Sequence, residues 1–144
     1  MNLDTHRRQL LRLLPGLLIP GLVAAQTKDS HMWMIIGERR FSITLADTEA
    51  AREFAAMLPL SIDMGDLNGN EKHAELPKSL PANPQRPGTI SSGDLMLYGS
   101  STLVVFYLTF NSSYSYTSLG RIDDPAQLAT ILSQESRLIQ FSKN

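Results

Sequence analysis

The most constraining feature of this sequence is the segment 93–121, which holds all four tyrosines of the chain and a dense run of β-branched and aromatic side chains. Its pattern predicts a strand at 94–98, a turn at 99–101 and a long strand at 102–110, followed by a turn and a third strand. Both faces of the long strand are mainly apolar, which suits a central strand or a barrel wall. The segment therefore predicts a β-rich fold, but it indicates no reaction.

The first 25 residues have the organisation of a signal peptide. Arg7, Arg8 and Arg12 make the start basic, residues 10–25 are apolar, and small residues precede a cleavage point after Ala25. We therefore predict a signal peptide at 1–25, a leader at 26–31 and one domain at 32–144 that is periplasmic or secreted. The arginine pair also resembles a twin-arginine export signal, so the route stays open between the twin-arginine and general secretory systems.

The alternative for this apolar segment is a buried amphipathic helix or a retained membrane anchor. Pro15, Gly16, Pro20 and Gly21 interrupt the segment, which is shorter than the roughly 20 residues that a spanning helix needs. We therefore favour export, and we expect no membrane contact after cleavage.

Composition sets limits on the partners of the domain. With 42% hydrophobic and 19% charged residues, the chain is typical of an ordinary globular protein. The net charge is −1, and removal of the signal peptide, with three arginines and one aspartate, would make it −3. No basic stripe for nucleic acid is present. The chain has no cysteine, so packing must stabilise the exported domain without disulfides. The sequence leaves the oligomeric state open.

Alternating and helical periodicities predict the remaining elements. A helix begins at Asp47 or Thr48 and ends before Pro59, Asn68 and Gly69 suit a tight hairpin turn, and Pro125 marks the first position of a second helix. A proline-rich stretch at 77–88 predicts an extended surface loop. Further strands are predicted at 32–36, 40–45, 60–64, 71–76 and 138–141. About eight strands and two short helices favour a closed or nearly closed barrel, since closure removes exposed edges.

Four short segments resemble a known family. They are GDLMLY at 93–98, LVVFY at 103–107, SLGRI at 118–122 and DLNGNEKHAELP at 66–77. They are similar to the small bacterial cyclophilin-like proteins, and the resemblance extends over about 32–141. It implies a mainly β fold, a cyclophilin-type closed barrel with helices at its ends, which agrees with the element count.

The resemblance does not extend to catalysis. Cyclophilins that isomerise X-Pro bonds have an arginine, a phenylalanine five residues later and a glutamine three residues beyond that, beside an apolar proline pocket. Here the positions five residues after the arginines of the domain hold Thr44, Leu45, Met57, Ser91, Ala126 and Ser142. We therefore assign no catalytic residue and leave open whether the protein is an enzyme. One alternative is a prolyl isomerase with a displaced arginine, such as Arg86 or Arg121.

The aromatic side chains suggest a binding site. Phe106 and Tyr107 resemble the aromatic pair of the cyclophilin wall strand, and Tyr114 and Tyr116 share a face if their segment is extended. Tyrosines at a barrel rim can instead serve only to cover the core. We predict an aromatic-lined pocket for a small molecule or a peptide segment, and the alternative is a non-catalytic protein-interaction module. The candidate pocket residues are Tyr98, Phe106, Tyr107, Tyr114, Tyr116, Arg86 and Arg121.

Metal and cofactor signals are weak. Glu71, His73 and Glu75 alternate, so on a strand they point to one side and could face a divalent metal, but a solvated strand face explains the same pattern. The segment 66–77 begins with the ligand spacing of a calcium loop but then lacks the required glycine and glutamate. No nucleotide-binding or nucleophile motif is present. We predict no bound metal and no cofactor.

Overall fold

The computed structural model describes residues 30–133 and 136–144. The predicted signal peptide and all of the leader except its last two residues therefore lie outside the described residues. The strands are β1 (His31–Ile36), β2 (Arg39–Leu45), β3 (Leu60–Leu67), β4 (Glu71–Glu75), β5 (Thr89–Ile90), β6 (Asp94–Tyr98), β7 (Thr102–Phe106), β8 (Phe110–Asn111), β9 (Thr117–Ile122) and β10 (Ser136–Ser142), and the helices are α1 (Glu49–Ala56) and α2 (Leu128–Leu132).

Eight of these strands form a closed barrel. Their order around the wall is β1, β10, β3, β4, β7, β6, β9 and β2, and β2 pairs again with β1. Neighbouring strands are antiparallel. A strand was predicted at the position of each of these eight, and the predicted closed barrel is confirmed. The Asn68–Gly69 turn is confirmed too, because both residues have the positive φ angles that a tight hairpin requires.

The barrel interior is a continuous apolar core to which both helices contribute. Thr48 caps α1, as its Oγ1 accepts a hydrogen bond of 3.0 Å from the Ala51 amide. Phe54 of α1 is fully buried, and its ring meets that of Phe141 of β10 edge-on at 5.5 Å. Leu128 from α2 joins the same core. Because the wall is closed, the helices reach this core through its open ends.

The prediction of one long strand over 102–110 is wrong. β7 ends at Phe106; the Tyr107 amide still donates to the carbonyl oxygen of Asn70 and its ring turns into the barrel core, and beyond Tyr107 the chain leaves the wall. Leu108, which lies within the predicted strand, is 43% exposed. The chain then crosses the outside of the wall, where β8 pairs with β5 as a separate two-stranded ribbon.

The second helix begins later than predicted. Residues Pro125 to Gln127 form a turn, with the Leu128 amide donating to the Pro125 carbonyl oxygen at 3.0 Å, and α2 starts only at Leu128. The preceding Asp123 is held against the barrel, since the hydroxyls of Ser42 and Thr44 each donate to its carboxylate at 2.6 Å. These hydrogen bonds hold the chain against β2 at Asp123, and the helix begins five residues later.

A second apolar cluster lies on the outer face of the wall. It is made by Val104 and Phe106 of β7 and Met96 of β6, together with Ile90 of β5 and Tyr116, and Phe110 packs against it. These positions alternate with the interior positions of the same strands, as the two faces of a sheet require. The ribbon of β5 and β8 thus covers an apolar patch outside the barrel, and the candidate site lies at the edge of this patch.

Candidate ligand-binding site

A cavity of about 420 Å³ opens on the outer face of the barrel beside the second apolar cluster. Its volume lies within the range of small-molecule sites in proteins. Five segments build it: the β3–β4 turn with the end of β3, the outward face of β4, the end of β6, the outward face of β7, and the chain from β8 to Tyr116. Its principal side chains are Glu71, His73, Tyr98, Phe110, Tyr114 and Tyr116.

Five aromatic rings form a continuous chain along the cavity. Tyr98 meets Tyr114 edge-on at 6.1 Å and Tyr116 at 5.7 Å, and Tyr116 meets Phe106 edge-on at 5.4 Å. Phe110 completes the chain at 5.7 Å from Phe106. Tyr98 and Tyr114 are 48% and 62% exposed, whereas Tyr116 is buried and burial raises the pKa of its hydroxyl. The cavity therefore has a rim of two exposed aromatic rings above a buried apolar floor.

Glu71 is the acidic group of the cavity. It begins β4 opposite Phe106 of β7, and only 6% of it is exposed. Burial, and then the nearby charge of Asp66, raise the pKa of Glu71 to about 6. Among residues 30–133 and 136–144, none donates a hydrogen bond to its carboxylate or forms an ion pair with it. The cavity thus holds a nearly buried carboxyl group without a counter-charge from the described residues.

A separate polar cluster lies on the interior side of the wall. Lys72 is fully buried, with its Nζ atom 3.5 Å from Oδ1 of Asp66 on β3, and the Tyr107 hydroxyl donates to the same oxygen. The hydrogen bond from Tyr107 is the main reason that the pKa of Asp66 is lowered. Burial and this same bond raise the pKa of Tyr107 to about 12. Lys72 and Tyr107 thus both contact the Asp66 carboxylate, and none of the three lines the cavity.

The structure brings together three of the seven predicted pocket residues. Tyr98, Tyr114 and Tyr116 line the cavity directly. Phe106 lies behind it as part of the apolar floor, in contact with Tyr116. Tyr107 faces the barrel interior instead, and its hydroxyl is engaged by Asp66.

The two predicted arginines lie away from the cavity. Arg86 is exposed in the proline-rich loop, next to Gln85, whose backbone pairs with that of Tyr116. Arg121 donates to Asp94 at 2.6 Å and borders a shallow groove along β2 and β9. In the part of the chain that the structure describes, no arginine lines the tyrosine cavity. The donor that an isomerase needs is thus not supplied at this position.

The alternating acids and histidine of β4 do not act as one set. Glu71 and His73 line the cavity, but the Glu75 carboxylate accepts hydrogen bonds from the hydroxyls of Ser101 and Thr102 at the exposed end of the strand. The described residues contain no group of three or more His, Asp or Glu side chains that could hold a metal ion.

Sequence reasoning missed several lining residues and the exceptional position of Glu71. Residues 111–113 line the cavity where β8 pairs with β5 outside the wall, and the β3–β4 turn lines it where it leads into β4. Glu71 was considered only with His73 and Glu75, as a set that could face a metal or form a solvated strand face. No local signal distinguishes a buried acid from an exposed one at alternating positions, since burial here depends on a segment that lies some 40 residues further along the chain.

This geometry defines a class, a closed antiparallel barrel with an aromatic cavity on its outer wall. Residues 34–142 match the model of the cyclophilin-like family, so the chain belongs to that family. The match confirms the resemblance noted in the sequence and the fold that it implied.

Two further comparisons were made, one with solved structures and one with curated proteins. A hypothetical protein from Archaeoglobus fulgidus, with a structure determined in solution, is similar at a TM-score of 0.53 and 13% identity over 80% of this chain and 95% of that chain. At this identity the similarity concerns the fold alone. A search of curated proteins finds no match. In the described residues, no helix is both long and apolar enough to cross a bilayer.

Proposed function

We propose that this cyclophilin-like barrel is a binding domain that holds a small molecule or a peptide segment in the tyrosine-lined cavity. The observation that supports the proposal is the cavity itself, which combines a suitable volume with an apolar floor and a few polar groups. Ligand sites typically have this composition, because the apolar surface contributes affinity and the polar groups orient the ligand.

The exposed tyrosines add to this support. Tyr98 and Tyr114 expose about half or more of their surface, yet they contact each other at the rim and do not pack into either core. A tyrosine that only covers the core would be expected to bury its ring. Rings arranged in this way offer apolar area and hydroxyl groups to a ligand at little cost in conformational entropy.

The proposal is tested by titrating the isotope-labelled chain with a fragment library and following the backbone amide resonances. We expect the fragments that bind to shift resonances of the cavity lining. Tyr98→Ala and Tyr114→Ala should each weaken that binding about tenfold or more, because each removes a ring from the rim. Arg86→Ala is the control, and it should change the affinity less than twofold because Arg86 lies outside the cavity.

Two results would contradict the proposal. One is that no fragment shifts the cavity resonances. The other is that binding fragments act elsewhere and are unaffected by either tyrosine replacement.

We also propose that the domain functions outside the cytoplasm, on the basis of the signal-like residues 1–25. The processed protein should begin near Gln26 in a periplasmic or secreted fraction. Replacement of Arg7 and Arg8 by lysine should block export only if the twin-arginine route is used. Recovery of a cytoplasmic protein that retains Met1 would contradict export.

A further inference from the structure

We infer that the ligand of the tyrosine cavity carries a protonated amine, which lies against the Glu71 carboxylate while its apolar body packs on the tyrosine rings. This inference rests on the proposed function and adds the chemical class of the ligand. It requires a group that is positively charged and has N–H donors.

The charge of the cavity is the first argument. Glu71 is nearly buried, and the described residues place neither a hydrogen-bond donor nor a counter-ion against it. No lysine or arginine of the described chain lines the cavity. An ionised carboxylate in such surroundings is costly unless a cation pairs with it. A ligand that brings an ammonium group would supply both the charge and the donors.

The adjacent lysine does not serve this purpose. Lys72 follows Glu71 directly, but side chains alternate along a strand, so Lys72 lies inside the barrel wall beside Asp66. The register supports this separation, since Glu71 is opposite Phe106 of the outer cluster and Lys72 is opposite Val105 of the interior core. The wall therefore keeps the nearest cation of the strand on the other face.

The aromatic rings are the second argument. Tyr98, Tyr114 and Tyr116 line the same cavity as Glu71, and the face of a tyrosine ring attracts a cation. Asn70 also lines the cavity, and its Oδ1 atom is buried without a donor among the described residues, which adds partial negative charge to this wall. A carboxylate combined with several aromatic rings favours an organic cation over an anion or a neutral ligand of the same shape.

Protonation of Glu71 should then control the affinity. Because the pKa of Glu71 is raised to about 6, the carboxyl is mostly ionised above pH 7 and mostly protonated at pH 5. An amine should bind about tenfold more weakly at pH 5 than at pH 7.5. The titratable groups that line the cavity with Glu71 are His73 of β4, Tyr98 of β6, and Tyr114 and Tyr116 before β9; Asp66 of β3 and Tyr107 interact with Glu71 electrostatically across the wall.

The test compares three phenyl compounds of similar length and different head groups: 2-phenylethylamine as the cation, 2-phenylethanol as the neutral analogue and phenylacetate as the anion. Each is titrated into the full chain and followed by the amide resonances of the cavity lining. We expect phenylethylamine to bind at least tenfold more tightly than phenylethanol, and phenylacetate to bind most weakly. The preference for the amine should fall about tenfold at pH 5, whereas binding of the alcohol should not change.

Variants assign the effect to Glu71. Glu71→Gln should remove the preference for the amine and its pH dependence while phenylethanol still binds. Glu75→Gln is the matched control on the same strand, because its carboxylate is engaged outside the cavity, and it should leave both unchanged. His73→Gln should keep the pH dependence.

The outcomes separate this inference from the proposed function. If the alcohol binds as tightly as the amine, or if Glu71→Gln keeps the preference, the cavity is a binding site but the amine inference is overturned. If the three probes all fail while other fragments bind the cavity, the amine inference is likewise overturned and the proposed function stands. Failure of the whole fragment library overturns both.

Discussion

Glu71 and Lys72 are consecutive residues of β4, yet their charged groups lie on opposite faces of the barrel wall. Lys72 is enclosed in the interior with its Nζ atom 3.5 Å from the Asp66 carboxylate, and Glu71 lines the outer cavity. Two opposite charges one residue apart are thus kept from neutralising each other by the pleat of the strand. The interior charge is compensated within the fold, and the exterior charge remains for the cavity.

Glu71→Gln should alter the pH dependence of stability. The pKa of Glu71 is raised from 4.5 to about 6 in the folded protein, so the folded state binds more protons than the unfolded state between these values. The contribution of Glu71 to stability is therefore fully present below about pH 4.5 and is lost as pH rises through 6. The free energy of unfolding of the variant, relative to the natural protein, should rise by about 1–2 kcal/mol between pH 4 and pH 7.5.

Urea unfolding at several pH values measures this change. Glu38→Gln is the control, because Glu38 is exposed in the β1–β2 turn, and its difference from the natural protein should stay constant with pH. A constant difference for Glu71→Gln as well would show that Glu71 is not desolvated in the folded protein.

Tyr107→Phe should destabilise the barrel at neutral pH. The variant keeps the ring in the core but removes the hydroxyl that donates to Asp66, and a hydrogen bond to a charged group contributes about 1.5–3 kcal/mol. Because the pKa of Asp66 is lowered in the folded protein, its contribution is present above the unfolded pKa and is lost as pH falls. The loss in unfolding free energy should thus be smaller at pH 3 than at pH 7.

Chemical denaturation at the two pH values distinguishes the causes. Tyr114→Phe removes the hydroxyl of an exposed tyrosine, so it should change the stability by less than about 0.5 kcal/mol. An equal loss at both pH values for Tyr107→Phe would contradict a charge-assisted bond to Asp66.

Gly120→Ala should be strongly destabilising, whereas Gly65→Ala should not be. A Cβ atom at Gly120 would lie 2.5 Å from the carbonyl oxygen of Thr44, so β2 and β9 would have to separate where Gly120 pairs with Leu45. We expect a loss of about 3 kcal/mol, at the upper end for overpacking. At Gly65 of β3 a Cβ atom meets nothing within 4 Å, and alanine is the better strand residue. Thermal melting of the two variants measures the contrast, and similar melting temperatures would contradict the close approach of β2 and β9.

Acceleration of X-Pro isomerisation by this protein should be weak or undetectable. An isomerase must aim a fixed donor at the proline nitrogen in the transition state, because only interactions that strengthen there lower the rotation barrier. Phe106 and its neighbours supply an apolar floor, but Arg86 and Arg121 lie outside the cavity. The measurement is a protease-coupled or NMR exchange assay of cis/trans rates on a short X-Pro peptide. A large acceleration that disappears in Arg86→Ala or Arg121→Ala would show that a displaced arginine performs this role.

Much of the barrel was predictable from local patterns in the chain. Alternation, β-branched and aromatic runs and turn residues indicated the wall strands, Thr48 was one of the two residues predicted to cap α1, and the Asn68–Gly69 pair indicated a hairpin turn. These features depend on backbone preferences and on hydrogen bonds within a few residues, so the residues next to one another in the sequence are enough to predict them.

The tertiary structure alone decided where β7 ends, which face each tyrosine occupies and how deeply Glu71 is buried. The chain leaves the wall after Tyr107, and β8 then pairs with β5 rather than with a strand of the barrel. Glu71 shares the lining of its cavity with Phe110 and Asn111 of β8, about 40 residues further along the chain. Desolvation and pairing depend on which distant segments meet, and no local periodicity contains that information. The sequence therefore determined the strands of this protein, whereas the closure of the barrel and its outer ribbon determined the chemistry of the cavity.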